Sequence, residues 1–270
     1  MVKGLENIAN KEYLGRVIIL GKDVTKKNDV IIYALTGRSE PSRARVIKDE
    51  KDTIKTSVTD KNQLKKGNPK LLIYNCIRRF HDTFVISNGA QTDIIYNTAK
   101  KLWNDKLSPT ENLIKSFDKP YLIKGNNEDE FIDLSTYEPD KPNFTPRING
   151  VITRNGAALS LVKCVDGLEV KQFFEVPLIP KKGFCLSTYK GKNVQHNQSI
   201  PSFEGEPFPV RLYGDNPEQV AKDVYEALGP KKSGKGIVSP GEDFRVSVVT
   251  IFYNRESNKI RKHIINRNSD

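Results

Sequence analysis

Two neighbouring stretches decide how the chain is interpreted: LLIYNCIR at residues 71–78 and DTFVISNGAQTD at residues 82–93. The first is an apolar run that ends in polar residues, and the second is a β-rich run that ends in Ser87, Asn88 and Gly89. A helical pattern begins directly after Gly89. Two strands that end in polar side chains, followed by a glycine turn into a helix, can collect hydrogen-bond donors around an anionic ligand. The pattern indicates a binding site and leaves its reaction open.

The length of 270 residues allows one large domain or two small ones, and 37% hydrophobic residues are enough for a sizeable core. The chain has no long apolar run and no signal-peptide pattern near Met1, so we expect a soluble cytoplasmic protein with no membrane contact. Three cysteines without a CxxC pair and three histidines argue against a disulfide framework. For the same reason we predict no metal and no cofactor.

The net charge is +11, from 44 Lys and Arg against 33 Asp and Glu. The lysines occur as scattered pairs, with no block of five and no basic tail rich in lysine. A lysine-rich solvated surface explains this pattern better than nucleic-acid binding does. Nucleic acid is therefore an unlikely partner.

The first half of the chain predicts strands, a loop with three arginines and two helices. Apolar runs that end at glycine predict strands at residues 13–21 and 30–36, joined by a hairpin loop. The loop with three arginines at 37–45 is predicted to be too polar for the core. Weak edge strands follow at 46–69, and then the strands of 71–78 and 82–87. Helical spacing covers 90–104, and Ser108 and Glu111 form a capping pattern for a helix through Phe117. We interpret 119–143 as a long functional loop or an insertion.

The second half predicts closely spaced strands and one helix. Strong hairpin turns at 154–156 and 166–167 join strands at 148–153, 157–163 and 168–175. Further strands at 183–189 and 244–253 flank a polar loop and an amphipathic helix at 216–228. The order predicts an α+β protein with antiparallel sheets. No linker divides it, so we predict one domain at residues 13–253, with a loosely held polar arm at 1–12 and a basic tail at 254–270.

Two motifs that carry chemistry elsewhere are set aside. GPKKSGKG at 229–236 nearly matches a phosphate-binding loop, but Gly236 stands where that loop needs a hydroxyl, and the segment follows a helix instead of a strand. Cys76 lies beside an apolar run without a histidine placed to activate it. We therefore expect an inert buried thiol.

Other residues are ambiguous when each is taken alone. Arg38 and Arg43 flank Pro41, and both could fork onto a phosphate or carboxamide oxygen, although a solvated loop with rim salt bridges fits equally well. Tyr74 gains interest only from its neighbours in the sequence. Asp93 could simply complement a helix dipole. Glu138 offers a carboxylate, for which a surface position is the more common outcome.

Taken together, six short patches resemble the archaeal-type IMP cyclohydrolase family, and they occur in that family's order. The patches are YLGR (13–16), RSEPSR (38–43), YNCIR (74–78), SNGAQTD (87–93), YE (137–138) and TPRI (145–148). Each is weak alone, and the ordered set is specific. From residue 151 onward the likeness rests mainly on STY at 187–189. The chain also resembles a lengthened member, with extra material near 119–130 and 190–208.

The resemblance implies a four-layer αββα sandwich of antiparallel sheets, as in the N-terminal-nucleophile hydrolases, although no Ser, Thr or Cys here starts the first strand. It implies a metal-independent cyclohydrolase that closes 5-formamidoimidazole-4-carboxamide ribonucleotide to IMP with loss of water. The expected ligands are that formamido nucleotide, IMP and AICAR. A homo-oligomer is also implied, with a tetramer as one form. The alternatives are a related purine-ribonucleotide amidohydrolase and a basic nucleotide- or RNA-binding module.

Residue roles carried over from the resemblance fall into two groups. The catalytic group would polarise oxygens and move protons, and the binding group would orient the base and the phosphate. The catalytic candidates are Arg43, Tyr74 and Glu138. The substrate-binding candidates are Arg16, Arg38, Asn75, Arg78, Asn88, Gly89, Thr92, Asp93 and Arg147.

Overall fold

A computed structural model describes residues 2–66, 68–125, 131–195 and 197–268. The helices are α1 (Glu6–Ala9), α2 (Glu40–Arg43), α3 (Pro69–Leu72), α4 (Gln91–Lys101), α5 (Pro109–Ser116) and α6 (Pro217–Ala227). The strands are β1 (Arg16–Lys22), β2 (Asn28–Thr36), β3 (Arg45–Glu50), β4 (Thr53–Val58), β5 (Asn75–Phe80), β6 (Thr83–Ser87), β7 (Leu122–Lys124), β8 (Phe131–Asp133), β9 (Arg147–Thr153), β10 (Gly156–Val165), β11 (Leu168–Val176), β12 (Lys182–Ser187), β13 (Phe208–Arg211), β14 (Arg245–Asn254) and β15 (Lys259–Asn266). Short 3₁₀ helices cover Lys61–Lys66 and Trp103–Asp105.

Two large antiparallel sheets form the body of the protein. The first has the strand order β13-β12-β1-β2-β14-β15, and the second has the order β11-β10-β9-β6-β5-β4-β3. Several neighbouring strands are joined by tight turns whose residues stabilise the turn. Between β1 and β2, the Asp23 carboxylate accepts hydrogen bonds from the backbone N–H (3.0 Å) and side-chain amide (2.9 Å) of Asn28. Between β10 and β11, Asp166 and Gly167 both adopt positive φ, as this tight turn requires. The hairpins predicted at these positions are confirmed.

Three apolar clusters define the packing of the sheets. One cluster contains side chains of both sheets, including Ile18 and Ile31 from the first and Phe84 and Ile152 from the second. In the other two, α1 and α6 cover the six-stranded sheet, and α4 and α5 cover the seven-stranded sheet. Each of the two large sheets therefore has apolar residues on both faces. The arrangement is α+β and antiparallel, and it is consistent with the expected sandwich.

The helix cap predicted at Ser108 is confirmed, and α6 also has a side-chain cap. Ser108 and Glu111 form a reciprocal capping box at α5, with the Ser108 N–H 2.8 Å from the Glu111 carboxylate. At α6 the Asn216 side chain accepts a hydrogen bond from the Gln219 N–H at 2.9 Å. No helix in the described part of the chain is long and apolar enough to span a membrane.

The strand predicted across residues 71–78 is wrong in its first half. Asn68 caps a short helix, α3, by accepting a hydrogen bond from the Lys70 N–H at 3.0 Å, and Pro69 occupies the first helical position. The strand β5 begins only at Asn75. Tyr74 thus lies between the two elements, and its side chain is buried with its hydroxyl 2.8 Å from that of Tyr33.

Both termini pack more tightly than expected. Leu5 and Ile8 are buried in the cluster beneath α6, so the predicted loose arm is held by its apolar residues. The basic tail contains β15, which pairs with β14 along its length. Ile260 and Ile264 on β15 contact the cluster between the sheets. In the sequence, the Lys and Arg residues between them favoured a solvent-exposed tail over a strand. Of the expected insertion at 119–130, residues 126–130 lie outside the described part of the chain.

Candidate active site

A cavity of about 280 Å³ opens where segments from both sheets meet, and we call it the Arg16 cavity. The first residue of β1 is adjacent to the ends of β2 and β12, because these strands are antiparallel neighbours. The loop before β9 completes the wall. The lining residues are Tyr13, Arg16, Arg38, Ser39, Pro41, Ser42, Asn68, Leu71, Leu72, Glu138, Asp140, Asn143, Thr145, Tyr189 and Ile200. Five separate parts of the chain therefore bring polar groups to one point.

A buried carboxylate between two arginines forms the charged centre of this cavity. Glu138 is only 2% exposed, with Oε1 3.5 Å from Arg16 Nη2 and 3.9 Å from Arg147 Nη1. Burial raises the pKa of Glu138, and the two arginines only partly oppose that rise. A carboxyl whose pKa is raised in a cavity is suited to moving a proton near neutral pH.

Arg16 is also surrounded by tyrosines. Burial works to lower the pKa of Arg16, but the charge of Glu138 and the nearby phenols of Tyr74 and Tyr189 raise it well above its ordinary value. Tyr33 donates to or accepts from Tyr74 across 2.8 Å between the two phenolic oxygens, and burial raises the pKa of Tyr33. These contacts keep Arg16 charged and the Tyr33 phenol protonated.

Another wall of the Arg16 cavity consists of hydrogen-bonded and stacked side chains around Tyr189. Its phenol lies 2.9 Å from Thr145 Oγ, and its ring stacks on Tyr13 with 5.6 Å between centroids. Asp140 fixes Thr145 by accepting from its N–H (2.6 Å) and from its hydroxyl (2.5 Å). Burial raises the pKa of Tyr189, so this phenol also stays neutral. The group gives the cavity a flat aromatic side.

Two buried donors in this region lack hydrogen-bond partners within the described residues: Arg16 Nε and Arg147 Nη2. Buried polar groups in native proteins are nearly always paired, so each exception calls for a partner such as water or a ligand. Both donors belong to arginines that have another nitrogen within 4.0 Å of Glu138 Oε1. Because Arg16 also lines the cavity, its Nε is a candidate donor to a ligand oxygen.

The turn at residues 87–89 positions Arg147. Asn88 Oδ1 accepts from the Ile148 N–H and from Gln91 Nε2, both at 2.9 Å, and Gln91 Oε1 in turn accepts from Arg147 Nη1 at 2.9 Å. A Cβ at residue 89 would lie 2.5 Å from Gln91 Oε1 and 2.9 Å from Arg147 Nη1, so a larger residue here would displace the two side chains that share this hydrogen bond. Thr92 bonds back to the Gly89 carbonyl at 2.9 Å.

Comparison with known proteins places the chain in a family. A family model described as "IMP cyclohydrolase-like protein" matches residues 13–116 and 127–237. The chain belongs to this family. A protein named IMP cyclohydrolase from Methanococcus aeolicus is 31% identical over 79% of this chain and 88% of its own length. Another with that name, from Methanocaldococcus jannaschii, is 30% identical over 70% of this chain and 78% of its own length.

The site residues expected from the sequence lie in four places. Arg16, Arg38 and Glu138 line the Arg16 cavity, and Arg147 contacts its lining through Glu138. Tyr74 lies behind this lining, near enough to Arg16 to affect its pKa. Asn88, Gly89 and Thr92 lie behind Arg147, where their hydrogen bonds orient it. The structure brings the remaining candidates to other places. They are Arg43, Asn75, Arg78 and Asp93.

Asn75, Arg78 and Asp93 form a cluster of their own between β5 and α4. Asp93 accepts hydrogen bonds from Asn75 Nδ2 (2.9 Å) and from Arg78 Nη1 (2.8 Å). The Arg78 guanidinium stacks over the Tyr96 ring at 3.6 Å from its centroid. These contacts tie the helix to the strand, and a substrate-binding role for the three residues stays a prediction.

The arginine loop divides its side chains between the cavity, the surface and the core. Arg38 lines the Arg16 cavity and donates to the Val194 carbonyl at 3.1 Å. Arg43 Nε donates to the Gly37 carbonyl at 3.2 Å, and Arg43 pairs with Glu242 at the surface. Arg45 is 1% exposed, so the expectation that this whole segment was too polar for the core is wrong there. Its guanidinium is held by the carbonyls of Ser42 (3.0 Å) and Thr36 (3.4 Å).

This difference predicts unequal effects of two matched substitutions. We expect Arg38→Met to raise the KM for a phosphate-bearing substrate about tenfold, because it removes a charged donor from the cavity. We expect Arg43→Met to change KM less than twofold. Steady-state kinetics on the two variants provides the measurement. Equal losses, or a larger loss for Arg43→Met, would show that Arg43 reaches the substrate.

Some site residues carry no sequence signal that could have found them. Tyr33 is the only polar side chain in the apolar run VIIYAL, where an ordinary core tyrosine is expected. Asp140 and Asn143 lie in a proline-rich segment without a pattern. Tyr189 belongs to the faint match at 187–189, which was a usable signal. Among the described residues, no three His, Cys, Asp or Glu side chains are grouped as metal ligands.

Proposed function

We propose that this chain is an IMP cyclohydrolase that closes the formamido-imidazole-carboxamide ribonucleotide to IMP with loss of water, in the last step of purine synthesis. The observation that carries the proposal is the buried Glu138 carboxylate between Arg16 and Arg147, in a cavity of a chain that belongs to this family. The named relatives support it, since they share about 30% of their residues with most of this chain.

The reaction sets clear demands on the site. The carboxamide nitrogen attacks the formyl carbon, which forms one C–N bond and places negative charge on the formyl oxygen. That oxygen leaves as water with one hydrogen from the carboxamide nitrogen and one from the formamide nitrogen. An amide nitrogen is a poor nucleophile, so the enzyme must align the two groups, stabilise the oxyanion and move protons. Neither step requires a metal ion or a covalent intermediate.

The cavity has a group for each of these demands. Glu138 would take the proton from the carboxamide nitrogen and return it to the leaving oxygen, because burial raises its pKa toward neutral pH. Arg16 Nε, which is unpartnered within the described residues, would bind the developing oxyanion. Tyr74 would donate its phenolic proton to the same oxygen, which then leaves as water. The proton that the formamide nitrogen loses would restore the Tyr74–Tyr33 pair, whose phenolic oxygens lie 2.8 Å apart.

Binding of the nucleotide would use the aromatic wall and the rim. The stacked rings of Tyr13 and Tyr189 offer a flat apolar surface to the imidazole. Arg38 at the rim would bind the phosphate. The backing residues Asn88, Gly89 and Thr92 would act through Arg147. Catalysis by Arg43 remains a prediction that this arrangement does not use.

We also propose a fold type for this chain. Two stacked antiparallel sheets with helices on both outer faces support an αββα fold of the N-terminal-nucleophile hydrolase kind. In this chain β1 begins at Arg16, so the fold would serve a different chemistry. We also propose a single domain, a cytoplasmic homo-oligomer, and metal-independent activity.

The direct test incubates the purified protein with the formamido nucleotide and follows IMP formation by absorbance. We expect Tyr74→Phe to lower kcat about 100-fold, because it removes the phenolic donor while keeping the ring. Tyr33→Phe should lower kcat about tenfold, since Tyr74 keeps its own proton. If the wild-type protein forms no IMP, the proposed function is wrong. If Tyr74→Phe retains full activity, the role of Tyr74 is wrong and the function stands.

A further inference from the structure

A second, larger cavity of about 420 Å³ lies on the outer side of the seven-stranded sheet, and we call it the Trp103 cavity. It lies between α4, the start of α5 and the turn that joins β9 to β10. Leu102, Trp103 and Leu107 give it apolar walls with one large aromatic ring. No described residue lines both this cavity and the Arg16 cavity. Its volume is in the range of small-molecule sites.

Two buried polar side chains in the lining have an atom without a hydrogen-bond partner in the described part of the chain. They are Thr83 Oγ1 and Asn112 Oδ1, in residues that are 1% and 5% exposed. Asn112 Nδ2 donates to the carbonyls of Ser108 (3.0 Å) and Leu107 (3.4 Å), which fixes the amide so that its oxygen is the unpaired atom. A carbonyl oxygen can only accept. A matching ligand must therefore present an N–H or O–H group to Asn112.

The charged residues of the lining are both cations. Lys106 is exposed at the mouth. Arg154 is mostly exposed on the β9–β10 turn, where its Nε forms a salt bridge with Asp82 at 3.1 Å that partly compensates its charge. None of the described lining residues is acidic. A cationic mouth over an apolar, aromatic interior favours a ligand with an anionic end and a planar ring.

We propose that the Trp103 cavity binds a nucleoside monophosphate whose base carries an N–H donor, at a site separate from the Arg16 cavity. The base contacts the Trp103 ring and donates to Asn112 Oδ1, and the Thr83 hydroxyl bonds to a second polar atom of the base. The phosphate lies at the mouth beside Lys106 and Arg154. This site does not depend on ring closure in the Arg16 cavity, and it gives a nucleotide a place to act as an effector.

The chain contains a built-in reporter for this proposal, since Trp103 is its one tryptophan. Titration of the full-length protein with AMP, GMP, CMP and UMP, followed by tryptophan fluorescence, reads this cavity directly. We expect a saturable change in fluorescence with at least one of these nucleotides. We expect adenosine, and a purine ribonucleoside monophosphate that lacks N–H groups on its base, to bind about fivefold more weakly than AMP if AMP is the ligand.

Matched variants separate the two cavities. Thr83→Val removes the hydroxyl at nearly constant shape, and Lys106→Met removes the charge at nearly constant length. Each should weaken binding about fivefold. Lys101→Met on the exposed face of α4 should leave Kd unchanged. Near-ultraviolet circular dichroism checks that the variants are folded.

Arg38→Met in the Arg16 cavity decides where a signal originates, because it removes the cation expected to bind a nucleotide phosphate there. If the proposal is correct, the fluorescence change and its Kd stay the same in this variant. The proposal is overturned if no nucleotide gives a saturable change at millimolar concentration. It is also overturned if the change survives Thr83→Val and Lys106→Met unaltered but weakens about tenfold in Arg38→Met, because the signal would then report the Arg16 cavity.

Discussion

Glu138→Gln is expected to lower the kcat for ring closure by about 10²–10⁴-fold, with a much smaller change in KM. Glutamine keeps the size and polarity of the side chain, so the contacts to Arg16 and Arg147 remain available for binding. It cannot exchange a proton with the substrate. An effect on kcat that leaves KM nearly unchanged is the signature of an interaction made in the transition state.

Two controls sharpen this prediction. The variant should still bind IMP, which a rise in melting temperature on IMP addition would show. Glu242→Gln, at the surface beside Arg43, changes the same kind of side chain outside the cavity and should leave kcat unchanged. A Glu138→Gln enzyme with more than a tenth of the normal kcat would mean that another group moves the proton.

The pH dependence follows from the raised pKa of Glu138. As a base, the Glu138 carboxyl must be ionised. We therefore expect kcat/KM to rise with pH through a pKa above the ordinary value of 4.5. This rise of kcat/KM with pH should be absent in Glu138→Gln. The free energy of unfolding should change with pH in the opposite direction. The folded state holds this proton more tightly than the unfolded state, so the contribution of Glu138 to the free energy of unfolding is present at low pH and is lost as pH rises through the folded pKa. Melting curves of both proteins across pH test this.

Local patterns in the sequence were sufficient where a few neighbouring residues determine the structure. The turns at 154–156 and 166–167 and the Ser108 cap depend on short-range backbone preferences, and the structure confirms them. The error at Leu71 has a local cause too, because the Asn68-Pro69 start signal for α3 was present but the apolar run after it reads as a strand.

The site was less accessible from sequence because it is formed by contacts between distant segments. Arg147 lies next to Glu138 in space because Asn88 and Gln91, more than 50 residues earlier, hold its guanidinium. Tyr33 becomes part of the site only through its hydrogen bond to Tyr74, across the space between the sheets. No periodicity or spacing along the chain encodes such pairs. The family resemblance supplied Arg16, Tyr74 and Glu138, and the structure supplied their mutual arrangement.

Arg147→Met is expected to lower the free energy of unfolding by about 3–5 kcal/mol, because it removes one partner of a buried ion pair and leaves Glu138 less compensated. For a chain of this size, that loss corresponds to a fall in melting temperature of roughly 10 °C. Arg147 also donates to the Thr136 carbonyl at 2.5 Å and to Gln91 at 2.9 Å, and methionine can make neither bond. Denaturant unfolding and thermal melts measure the effect. Arg154→Met, on the exposed turn that follows the same strand, should show no measurable change.

A double-mutant cycle separates the ion pair from the other contacts of Arg147. If the buried charge of Glu138 causes most of the loss, Arg147→Met should cost much less in a Glu138→Gln background, where the carboxylate is absent. The coupling should amount to about 1–3 kcal/mol, and it should shrink at pH values low enough to protonate Glu138 in the folded wild-type protein. Additive effects would instead assign the stability of this region to the hydrogen bonds with Thr136 and Gln91. In that case Arg147 would be a structural clamp, and Arg16 would be the cation that governs the carboxylate.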